Sequence, residues 1–281
     1  MAETKPIKRG YAFRPKKRLG QHFIKDKKTI HEIISGARFD RSDQVLEVGA
    51  GLGALTFPLA GIVDKIIAIE KDSRLTDMLG RRISRENISN ITLINDDILQ
   101  SDLREILGST EKKIKVIGNL PYNISSPFLE KLVKERSIVS RAVLMFQLEF
   151  ARRLIASPGS REYGGITVLT KYHACLSPLL EVSKEAFYPK PKVGSMVLEL
   201  DFERPHPRRA DDEAKFKMIV KGAFAHRRKT LFNSLKETLS SHSKEQILEA
   251  MGECAIESRR RAESLDIDDF LCLTSALTSL S

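Results

Sequence analysis

The sequence predicts an α/β protein, a doubly wound parallel sheet followed by a small all-helical domain. Three observations predict it. Short β-type apolar runs alternate with helical stretches between residues 45 and 146. A glycine-rich turn, Gly49-Ala50-Gly51-Leu52-Gly53, follows the first run and opens a helix. The composition changes at residues 203–212, and apolar residues beyond it recur at helical spacing. Strand, helix and strand repeated in this way require parallel pairing through crossovers.

Each element follows from its residues. Residues 1–18 carry Lys5, Lys8, Arg9, Arg14, Lys16, Lys17 and Arg18 and read as a basic, flexible arm. Asp26 reads as a helix N-cap, with Ile30, Ile33, Ile34 and Ala37 following at helical spacing. Val45–Val48 is the first strand and Ala54–Ala60 its helix. Lys65–Ile69 is the second strand, followed by the helix Ser73–Ser84. Ile91–Ile94, Lys115–Ile117 and Ala142–Phe146 supply three more strands. Ser126-Pro127 caps the helix after the fourth, with Pro at the first helical position. Leu179–Val182 and Ser195–Phe202 add an edge hairpin, joined by the Pro-rich stretch 187–193. Past the boundary at 203–212, Phe216, Ile219, Val220, Ala223 and Phe224 mark one helix and Leu231, Leu235 and Leu239 another. The expected units are the arm 1–18, a sheet domain 19–203 and a helical domain 204–281.

With 281 residues, 41% of them hydrophobic, the chain is long enough for a sizeable core. Lys and Arg total 47 against 37 Asp and Glu, a formal charge of +10. The excess is clustered, which points to a polyanion, most simply nucleic acid. No apolar run has the length to span a bilayer, and the basic N-terminus lacks an apolar stretch behind it. A cytoplasmic monomer is expected. Cys175, Cys254 and Cys272 are far apart without a CxxC pair, so neither a zinc site nor a disulfide framework is expected, and no metal. Trp is absent, so base stacking falls to Tyr, Phe, His or Arg.

Polar residues then gather at four successive strand ends, where such sheets bind ligands. Gly49 and Gly51 permit close approach to the backbone, which alone suits NAD, a phosphate or helix packing. The acidic lead, Glu47, disfavours a pyrophosphate and favours a cationic ligand such as the sulfonium and amino group of S-adenosyl-L-methionine. Glu70 lies about 20 residues on, where a carboxylate takes ribose hydroxyls. Asp96 or Asp97 at the third strand end can accept from an adenine amino group, and motif alignment favours Asp97. Asn119-Leu120-Pro121-Tyr122 ends the fourth. The Asn oxygen and a main-chain carbonyl can accept both N–H bonds of a planar amine, while Tyr122 stacks on the attached ring.

These residues resemble the rRNA adenine N6-dimethyltransferases, most closely the type acting on small-subunit rRNA. The resemblance rests on Lys17–Phe23, Glu47–Gly53, Asn119–Ser125, Phe187–Ser195, Ala225–Leu231 and Arg261–Glu263, and runs from about Arg18 to the C-terminus. It implies a Rossmann-like methyltransferase sheet, S-adenosyl-L-methionine as cofactor, and dimethylation of two adjacent adenines in a hairpin loop near the 3′ end of small-subunit rRNA. It implies cofactor contacts at His22, Ile24, Gly49, Gly51, Glu70, Asp97 and Asn119. The family commonly has Asn-Phe-Leu at His22-Phe23-Ile24 and Pro at Ala50.

On this reading Asn119 and the Leu120 or Pro121 carbonyl orient the amine, Tyr122 stacks on one face of the base and Phe187 covers the other. Positioning, not a strong base, carries the rate. Arg227, Arg228 and Lys229 face the cleft and hold RNA, which gives salt-dependent binding. The substrate is expected to be an assembling ribosomal subunit, and no membrane partner is expected. The competing readings are a large-subunit rRNA adenine methyltransferase of the resistance type and a non-catalytic RNA-binding assembly or transcription factor.

Overall fold

Val-, Ile- and Leu-rich runs that are buried along almost their whole length make the central strands, as a sheet covered on both faces requires. The computed structural model describes residues 15–16, 19–108 and 112–280. Of the predicted basic arm, Lys5, Lys8, Arg9, Arg14, Lys17 and Arg18 lie outside the described residues. The chain runs β1 (Phe23–Ile24), α1 (Lys27–Ala37), β2 (Gln44–Val48), α2 (Thr56–Ala60), β3 (Lys65–Glu70), α3 (Ser73–Arg85), β4 (Ile91–Asn95), α4 (Leu103–Leu107) and β5 (Ile114–Asn119). It continues as α5 (Ser125–Lys134), β6 (Val139–Gln147), α6 (Leu148–Ile155), α7 (Gly165–His173), β7 (Cys175–Val182), β8 (Phe187–Tyr188) and β9 (Ser195–Asp201). The helices α8 (Glu213–Ala223), α9 (Leu231–Thr238), α10 (Lys244–Glu253) and α11 (Ile267–Ser279) follow.

The main sheet has the order β4-β3-β2-β5-β6-β9-β7. Its first five strands are parallel, and β9 and β7 add antiparallel at the edge. The order in which strands are added reverses between β2 and β5, with β3 and β4 on one side and β6 on the other. That switch point opens a crevice at their carboxyl ends. A separate ribbon pairs β1 with β8, setting Phe23 opposite Tyr188 and Ile24 opposite Phe187. Gly118 lets β5 approach β2 at this crevice, since a Cβ there would stand 2.8 Å from the Val48 carbonyl oxygen. Gly118→Ala is therefore expected to cost about 1–3 kcal/mol of stability. Chemical denaturation measures it, and a loss under 0.5 kcal/mol would show that the strands yield freely.

Local chemistry starts the helices. Asp26 caps α1 by accepting from the Thr29 N–H at 2.9 Å, as expected. The predicted cap at Ser126-Pro127 is corrected. Helix α5 begins at Ser125, Pro127 is its third residue, and no side chain caps it. A 3-10 turn, Tyr122–Ile124, runs straight into α5 and supplies the first-turn geometry instead. The sequence reading left residues 148–173 unassigned, yet α6 and α7 occupy them. The segment packs Tyr163, Val168 and Tyr172 against Phe216, Ile219, Val220 and Phe270 in the helical core. That core therefore reaches back across the composition change at 203–212.

The cysteine expectation is also corrected. Cys254 and Cys272 are disulfide-bonded, with Cα atoms 5.8 Å apart. Helices α10 and α11 pack together, which brings residues 18 apart in sequence side by side. Among the described residues no His, Cys, Asp and Glu cluster suits a metal ion, and no helix is long and apolar enough to cross a membrane.

Candidate active site

The turn after β2 is shaped by three left-handed glycines, Gly49, Gly51 and Gly53, at φ of 74°, 59° and 78°. The Gly49 N–H donates to the Ile69 carbonyl at 2.8 Å, and the Gly51 N–H to Glu70 Oε2 at 2.9 Å. Ala50 also donates to Ile69, at 3.3 Å. A Pro at this position would lack that donor. A Cβ on Gly51 would press the Phe23 ring at 3.3 Å, so the turn is a cradle that side chains would fill.

Glu70 ends β3 and is 7% exposed. Its Oε1 accepts from the Asp72 N–H at 2.8 Å. Burial pushes its carboxyl up, against the pull of the Asp72 and Gly51 N–H bonds. Two accepted bonds leave lone pairs on both oxygens for hydroxyls of a ligand. Asp72 begins the next helix as its N-cap and is sealed from solvent. Hydrogen bonds from Arg74, then from Lys16 and Gln21, hold its carboxyl far below the usual range. Lys16 Nζ reaches it at 3.0 Å and Gln21 Nε2 at 3.1 Å. These contacts draw residues 19–23 over the glycine turn as a strap.

At the end of β4, Asp96 spends both oxygens locally, on the Asp97 N–H and the Ser101 hydroxyl, each at 2.7 Å. Asp97 accepts from the Leu99 N–H at 3.1 Å and pairs with the exposed Lys71 at 2.5 Å. Burial pushes its carboxyl up, but Lys71 and the Leu99 N–H outweigh that and hold it down. Asp97 thus keeps its negative charge beside a lysine that a ligand can displace.

Asn119 ends β5, and its Nδ2 donates to the His22 carbonyl at 2.9 Å. This leaves Oδ1 as the accepting end of the amide. The Pro121 carbonyl already accepts from the Ile124 N–H at 3.1 Å, which favours the Leu120 carbonyl as the second acceptor. The Leu120 side chain itself is core. Tyr122 is half-buried, its hydroxyl 3.1 Å from Ser195 Oγ and its ring 5.7 Å from His22 at 27°. Burial pushes the Tyr122 hydroxyl up, so it remains a neutral platform.

These elements enclose a cavity of about 330 Å³. Leu19–Phe23, Gly49, Gly51, Glu70, Lys71, Asp96, Asp97 and Asn119–Ile124 are among its lining residues. The size and the small set of convergent polar groups suit one nucleoside-sized ligand. A positive methyl donor with a ribose and an adenine fits them: acceptors face it, and the glycine turn clears space.

Three expectations need correction. Phe187, expected over the base, is 1% exposed and packed in the core with Ile24 and Ala186. Its neighbour Tyr188 is the exposed ring at 40%. Ile24 faces that same core, and Phe23 lines the cavity, because successive residues of a strand point to opposite faces. Glu47 does not face the ligand either. It is 2% exposed, with Oε2 lacking a partner. Burial first, and the nearby Glu70 second, push its carboxyl up to about 8, while Thr56 opposes them. The negative charge at the cavity comes from Glu70 and Asp97.

Glu47 makes a pH prediction. Its folded pKa lies above the unfolded value, so the folded state holds a proton that the unfolded state has lost between pH 4.5 and about 8. The wild type therefore loses stability as pH rises through that window. Glu47→Gln is expected to flatten the slope, with a gain on the order of 3 kcal/mol at pH 8. Denaturation at pH 5 and pH 8 checks it, and parallel slopes would contradict it.

The basic triplet lies between α8 and α9. Arg227 donates to the Arg161 carbonyl and pairs with Glu263 at 3.5 Å, and Lys229 pairs with Glu237. Arg228 is exposed. Arg228→Ala is expected to lower RNA affinity about threefold and to reduce the salt slope by about one. An unchanged slope would remove Arg228 from the interface.

Comparison with known proteins shows the family. The family model described as ribosomal RNA adenine dimethylase matches residues 12–278. A protein named ribosomal RNA small subunit methyltransferase A from Desulforapulum autotrophicum is 41% identical over 268 residues, covering 94% of this chain and 93% of its own. The protein of the same name from Geobacter metallireducens is 40% identical, covering 97% of this chain and 98% of its own. Among solved structures, a dimethyladenosine transferase from Plasmodium falciparum is 28% identical, with a TM-score of 0.75 over 89% of this chain and 95% of its own. The 23S rRNA methyltransferase ErmE is 24% identical with a TM-score of 0.69, covers 91% of this chain and 99% of its own, and shares the fold. A match over nearly the whole chain, with the strand-end residues gathered around one cavity, makes this chain a member of the ribosomal RNA adenine dimethylase family.

Proposed function

We propose that this protein dimethylates the exocyclic N6 of two adjacent adenines in small-subunit rRNA, using S-adenosyl-L-methionine. The target is a hairpin loop near the 3′ end of that RNA, met in an assembling subunit. The observation that carries the reading is the fixed amide of Asn119, whose donor end is tied to His22 and whose acceptor end is left for an amine. Residues 19–203 carry the transfer and residues 204–281 hold RNA, in a cytoplasmic monomer. Relatives named for the small subunit disfavour the large-subunit reading.

Bound S-adenosylmethionine supplies a methyl group on a positively charged sulfur. Glu70 takes its ribose, Asp97 its adenine, and Gly49 and Gly51 admit it close to the backbone. Asn119 Oδ1 and the Leu120 carbonyl accept the two N–H bonds of the target amine. They fix its orientation and draw its lone pair away from the ring. Tyr122 stacks on the base, worth about 1–3 kcal/mol. No protein base is required, because the alkylated amine loses its proton readily to solvent. After one methylation the amine keeps one N–H, so one acceptor serves the second round.

The test is to incubate the protein with labelled cofactor and small subunits lacking adenine methylation, then to map modified nucleosides by mass spectrometry. Dimethyladenosine at adjacent positions near the rRNA 3′ end is expected. Transfer only to large-subunit RNA, assayed in parallel, would overturn the target. RNA binding without any transfer would overturn the enzyme reading in favour of an assembly factor.

A further inference from the structure

His22 stands where three chain segments meet. Its carbonyl takes the Asn119 amide at 2.9 Å, and its Nδ1 lies 2.7 Å from the Pro189 carbonyl. A carbonyl only accepts, so Nδ1 must carry the proton. Its ring stacks against Tyr122, whose hydroxyl meets Ser195 at the far end of the Pro-rich loop. At 5.7 Å between centroids there is no space for a base between these two rings. His22 thus occupies one face of Tyr122 and leaves the other for the substrate.

We propose that His22 is a positioning residue that latches loop 188–195 to Asn119 and Tyr122, so that the amine acceptor and the stacking ring move as one body. The proposal rests on the adenine-methylating reading above. The essential feature is the N–H aimed at Pro189. Histidine Nδ1 and asparagine Nδ2 are each bonded directly to Cγ, so either residue places a donor at that distance from the backbone. An Asn at this position would therefore keep the latch and lose the stacking surface. This role is separate from any contact His22 makes with the cofactor, because both polar contacts described here are to protein.

Three variants separate the latch from the stack. His22→Ala removes both, His22→Asn keeps the donor, and His22→Phe keeps the ring. Misplacing reacting groups by about an ångström costs roughly a hundredfold, so His22→Ala is expected to lower kcat by about tenfold to a hundredfold. Hydrogen exchange of the amides at 188–195 should quicken in His22→Ala and His22→Phe and return toward wild type in His22→Asn. His22→Asn should also recover most of the lost kcat, and His22→Phe should not. Equal activity and equal exchange in the Asn and Phe variants would overturn the latch. If His22→Phe does not fold, failure of His22→Asn to improve on His22→Ala decides against it. If wild type transfers no methyl to small subunits, the functional reading fails, and the exchange comparison still judges the latch.

Discussion

Asn119→Ala is expected to lower kcat on small-subunit rRNA by about a hundredfold to a thousandfold, the usual cost of removing one preorganised polar partner of a reacting group. The substitution removes the proposed acceptor for the target amine and also leaves the His22 carbonyl without its donor. Cofactor affinity should fall much less, because Glu70 and Asp97, the proposed cofactor acceptors, line the cavity from other strands. Asn119→Asp separates the two contributions. It keeps an acceptor of the same reach but turns a carboxylate oxygen toward the His22 carbonyl, so it should remain well below wild type while exceeding Ala. Single-turnover assays with saturating cofactor measure this directly. Turnover of Asn119→Ala within threefold of wild type would remove the amide from the reaction.

The same residue shows how much of the site was legible in the sequence. Parallel strands place their carboxyl ends on one edge, so a polar residue that closes an apolar run announces its position. Glu70 and Asn119 were placed in that way, whereas Asp97 was preferred to Asp96 by motif alignment; all three line the cavity. Contacts made by folding across long separations left no such mark. Asp72 meets Gln21 across 51 residues and Lys16 across 56, and nothing local distinguishes it from an ordinary helix cap. Phe187 and Ile24 were misplaced for a different reason. They lie in two-residue strands, too short for a period of two to reveal which side faces the core. Glu47 was misread because a carboxyl beside a glycine turn gives no sign in sequence of being sealed beneath it. The helices α6 and α7 were missed because no side-chain cap marks either start: α6 follows β6 without a break, and α7 opens on the β-branched run Ile166-Thr167-Val168.

Glu70→Ala is expected to abolish measurable cofactor binding and to destabilise the fold together, a combination that Asn119→Ala should not show. The Glu70 carboxylate satisfies the Gly51 and Asp72 N–H groups, both donors at the crevice. Truncation leaves two buried donors without partners, at about 1–3 kcal/mol each. It also frees the glycine turn from β3 and loosens Asp72, the residue to which Lys16 and Gln21 fasten the strap. Affinity should therefore fall by more than about a hundredfold, because the proposed ribose acceptor and the cavity walls are lost at once. Glu70→Gln is the sharper comparison. Its amide oxygen can serve one N–H, but its nitrogen must then face the other, donor against donor. Glu70→Gln should consequently resemble Ala more than wild type in calorimetric titration with S-adenosylhomocysteine. If Glu70→Gln instead binds within fivefold of wild type, the pair of hydrogen bonds from Gly51 and Asp72 is dispensable for the cavity.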